Sequence, residues 1–72
     1  MVELLTWAIK KPIENSELVS VAILKGWLRL LRQGCVMIEI LVHCYELINV
    51  LDQAGILNVP FRPENLHQHI FS

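Results

Sequence analysis

The sequence predicts an all-α protein: a central helical hairpin with short flanking helices, its helix bundle completed by oligomerisation. Three observations predict it. Polar residues recur every three or four positions through the most apolar stretch, glycines at 34 and 55 follow two long periodic runs, and 54% of the 72 residues are hydrophobic against 18% charged. A chain of this length has room for one helical domain, residues 1–72, and a domain this small buries only about 60% of the surface its unfolded chain exposes. Ordinary soluble domains carry about 45 to 50% apolar residues with glycine included, so the excess here asks for cover from another chain. The same composition excludes a disordered segment.

The first element is a short helix over residues 2–11. Val2, Leu5 and Ile9 repeat at helical spacing. Lys10-Lys11-Pro12 closes it, because cations suit a helix C-terminus and the residue before proline is pushed out of the α region.

The second helix spans residues 16–33. Asn15 or Ser16 supplies the cap, and Glu17 faces the positive end of the dipole in the first turn. Gly34 ends it in a left-handed conformation, with Arg29 and Arg32 near the negative end. Cys35 is then placed to touch Leu30, the apolar contact of a Schellman motif. The same arrangement recurs with Gly55, Ile56 and Leu51.

The third helix spans residues 35–54. Its branched run Val36-Met37-Ile38-Glu39-Ile40-Leu41-Val42 also fits a buried strand, but Glu39, His43, Glu46, Asn49 and Gln53 form one helical stripe with no alternation of period two. Cys35-Val36-Met37 offers no N-cap residue, and Lys25, Arg32, Glu39, Glu46 and Gln53 keep a spacing of seven across Gly34. One unbroken helix is thus the competing expectation, and the hairpin is preferred. Residues 56–61 are expected extended. A last short helix follows over residues 63–70, with Pro63 at its start.

The charge balance excludes some functions. A net charge of −1 gives no basic field for phosphate backbones, so nucleic acid is not an expected partner. Glu39, His43 and Glu46 interrupt the most apolar stretch, which therefore is not expected to span a membrane. The opening residues show neither a cationic region nor a small-residue cleavage site. Cys35 and Cys44, on one helix, would stand about 13 Å apart along the axis, too far for a disulfide. Both observations fit a cytoplasmic location.

Apolar residues cover nearly every direction of the third helix outside its polar stripe, more than one neighbouring helix hides. The expected interface is Trp27, Leu28, Leu31, Ile38, Leu41, Tyr45 and Ile48, and the expected partner is a second copy in a homodimer or higher oligomer, or another protein. A monomer that wraps its flanking helices around the third one is the alternative.

Candidate chemistry is sparse. Arg62-Pro63-Glu64-Asn65-Leu66-His67 resembles the motif of the HEPN nuclease family, an arginine and a histidine separated by four residues. That resemblance implies a phosphate-binding cation at Arg62 and a base at His67 for RNA cleavage. It covers six residues, and here the arginine precedes a proline at a helix start, whereas the family places it mid-helix. A surface arginine and histidine on a C-terminal turn is the preferred reading. Glu39, His43 and Glu46 share one face, as acid–base or metal groups require, yet a solvated stripe explains them as well. His67, His69, Cys35 and Cys44 lack the paired short spacings of a zinc site. No catalytic residue, metal or cofactor is assigned.

The expected function is therefore a small non-enzymatic interaction or regulatory module acting as a helical oligomer. Its rivals are a small nuclease or metal-dependent enzyme using Arg62, His67 and His43, and a subunit of a larger hetero-complex.

Overall fold

Two helices of similar length run antiparallel and pack on each other: α1, Asn15–Arg32, and α2, Ile38–Gln53. The short helix α3, Leu66–Phe71, follows a 3-10 turn at Pro63–Asn65, and another 3-10 turn occupies Thr6–Ala8. The computed structural model describes residues 5–35 and 37–71, the last of these by its backbone alone.

The glycine stops have the predicted geometry. Gly34 adopts φ +100°, its N–H donates to the Leu31 carbonyl, and the Cys35 N–H donates to the Leu30 carbonyl, both at 3.1 Å. Gly55 adopts φ +75°, with its N–H on Asp52 and the Ile56 N–H on Leu51 at 3.0 and 3.1 Å. Both are Schellman motifs, in which a left-handed residue turns two orphan carbonyls of the last helical turn into acceptors. The chain therefore reverses at Gly34, and the seven-residue phase of the polar stripe does not carry one helix through it.

The helix starts differ from expectation. α1 is capped by Glu14 and not by Asn15 or Ser16: the Glu17 carboxylate reaches back to accept from the Glu14 N–H at 3.1 Å. That return bond is the half of a capping box that satisfies the cap residue's own N–H. α2 begins at Ile38, three residues later than expected, with Met37 extended before it and no side-chain cap. The missing cap residue delays the start, since Cys35 is still engaged in ending α1.

The N-terminal segment departs furthest. Part of the expected helix over residues 2–11 lies outside the described residues, and the rest is a single 3-10 turn followed by extended Ile9. Ile9 forms an antiparallel bridge with Leu57. The Lys10 N–H donates to Ile56 at 2.9 Å, the Asn58 N–H donates to Ala8 at 2.8 Å, and the Asn58 amide donates to the Trp7 carbonyl. A helix of ten residues is marginal in water. Pairing with the extended segment after Gly55 satisfies the same backbone groups and lets Leu5 and Ala8 enter the core, where both are fully buried.

One core results. Val21, Leu24, Leu28 and Leu31 of α1 meet Cys44, Ile48 and Leu51 of α2, and Leu5, Ile56, Phe61, Leu66 and Ile70 close it from the terminal segments. The accessible area of the whole chain is 4790 Å², against about 4,600 Å² for a folded monomer of this mass. The radius of gyration, 11.3 Å, matches the value of about 11 Å for a chain this long. A single chain thus closes around its own core to ordinary compactness.

Candidate interaction surface

The terminal segments cover one face of the hairpin. Arg62 Nε lies 3.4 Å from Asp52 Oδ1 of α2, a charge contact whose N–H is not aimed for a hydrogen bond. Lys11 Nζ donates to the Ala54 carbonyl at 2.9 Å. Beyond them, Trp7, Phe61 and His69 cluster, with Trp7 edge-on to Phe61 at 5.8 Å between centroids and His69 tilted over Phe61 at 4.8 Å. His69 Nε2 donates to the Pro60 carbonyl. These aromatic contacts fasten the C-terminal arm to the N-terminal turn.

The opposite face stays open. His43 stands nine residues before Asp52, so at about 100° per residue it points away from the covered side of α2. There its ring meets Trp27 of α1 at 5.0 Å with planes inclined by 37°, and its Nδ1 lies 3.7 Å from Glu46 Oε2. Ile23 and Leu30 flank Trp27 four residues before and three after it, and Val50 sits two turns beyond His43. These three apolar side chains are 41%, 42% and 55% exposed. Val19 and Val42, at the outer edges of the same face, are exposed as well.

The expected interface residues divide into three groups. Leu28, Leu31 and Ile48 are buried in the chain's own core, because they lie on the stripes with which α1 and α2 meet each other and the terminal segments. Trp27, Leu41 and Tyr45 are half-buried against that core. Ile38 stands 75% exposed at the start of α2. The stripe Glu39, His43, Glu46, Asn49 and Gln53 is solvent-facing throughout, as its periodicity predicts. Sequence reasoning passed over Val19, Ile23, Leu30 and Val50. Their signal was present: Val19, Ile23, Gly26 and Leu30 follow the alternating four- and three-residue spacing of a helix seam, half a turn from Val21, Leu24 and Leu28.

The residues of the enzyme reading do not converge. Arg62 packs against Asp52 and His43 against Trp27, on opposite sides of α2. His67 is exposed on α3. Among the described residues, no three histidine, cysteine or acidic side chains come close enough to hold a metal ion. Nor is any helix among them long and apolar enough to cross a membrane. Cys44 is buried, and desolvation pushes its thiol up from 9.0 to about 11. A thiol so placed is a small apolar core group and a poor nucleophile.

The chain was compared with family models, curated proteins and solved structures. None of them matches it.

Proposed function

We infer that this protein is a non-enzymatic interaction module that acts as a helical oligomer, docking through the open face of its hairpin. The observation that supports this is the row Ile23, Leu30 and Val50, exposed beside Trp27 on the face the terminal segments leave bare. Scattered apolar residues are normal on a monomer, whereas a contiguous patch marks an interaction site. A half-buried tryptophan at its centre is a common anchor of such interfaces. The polar groups available there, His43 and Glu46, pair with each other and make a rim instead of a reaction centre.

The test compares the parent chain with Ile23→Asp by sedimentation equilibrium. Ile23 is 41% exposed and is not one of the core residues, so the variant is expected to keep its fold, and association that falls away on this single change supports the reading. A parent oligomer of unaltered mass in the variant, or a parent that stays a single chain at millimolar concentration, contradicts it.

A further inference from the structure

We draw no further inference here: the strongest candidate, the exposed apolar patch of Ile23, Leu30 and Val50 on the open face of the hairpin, belongs to the docking surface already described, and nothing in the structure shows what covers it.

Discussion

Trp27 and His43 meet across the hairpin with ring centroids 5.0 Å apart and planes inclined by 37°, joining the C-terminal half of α1 to the N-terminal half of α2 on the face that the terminal segments leave uncovered. Aromatic pairs of this kind contribute about 0.5 to 1.5 kcal/mol beyond their buried area. Trp27→Ala also loses half-buried contact with the core, so it is expected to cost about 2 kcal/mol, and His43→Ala about 1 kcal/mol. A double-mutant cycle by urea unfolding measures the coupling directly. Strict additivity of the two losses contradicts the contact.

The three glycines behave differently. At Gly34 and Gly55, φ is +100° and +75°, a region where any Cβ is strained although space is open around it. Alanine at either position is expected to destabilise by about 1 to 2 kcal/mol. Gly26 lies inside α1 with ordinary helical backbone, and an added Cβ there meets nothing within 4 Å. Gly26→Ala should therefore raise stability by about 0.8 kcal/mol. Thermal unfolding of the three variants tests the pattern, and equal effects at Gly26 and Gly34 contradict it.

Leu5 tests the departure at the N-terminus. It is fully buried in a segment that was expected to form an independent short helix. Leu5→Ala should cost about 3 kcal/mol, a large part of the roughly 4 to 11 kcal/mol available to a chain of this length. A loss below about 1 kcal/mol, the scale of ordinary surface changes, places the segment outside the cooperative core.

The two cysteines should separate chemically. Cys44 is buried with its thiol pushed up to about 11, whereas Cys35 is half-buried at the end of the Schellman turn. Iodoacetamide at pH 8 is expected to label Cys35 and spare Cys44 until the chain unfolds. The same shift has a pH consequence. A folded-state pKa above the unfolded one contributes stability that is complete below pH 9 and is lost progressively as pH rises from there through about 11. Cys44→Ala flattens that alkaline loss, and an unchanged pH profile in the variant contradicts the assignment.

Local signals were legible where one residue type settles the backbone. Gly34 and Gly55 announced both Schellman turns with their partners Leu30 and Leu51, and Glu39, His43, Glu46, Asn49 and Gln53 marked the wet side of α2. The N-terminal segment was not legible, because the bridge between Ile9 and Leu57 is a pairing across 48 residues that local periodicity does not contain. The docking face was half legible. α1 carries apolar stripes on two sides, one through Leu24 and Leu28 and the other through Ile23 and Leu30, and the choice of inner stripe depends on where the C-terminal arm packs. That choice placed Leu28, Leu31 and Ile48 inside the chain and left Ile23, Leu30 and Val50 outside.

The measurement that tests the central claim most directly is the solution mass of the parent chain by sedimentation equilibrium up to millimolar concentration. The account predicts a concentration-dependent rise to twice the 8.3 kDa chain mass, abolished by Ile23→Asp while helix content is retained. A mass that stays at that of one chain over the whole range, with Ile23, Leu30 and Val50 still in water, contradicts it.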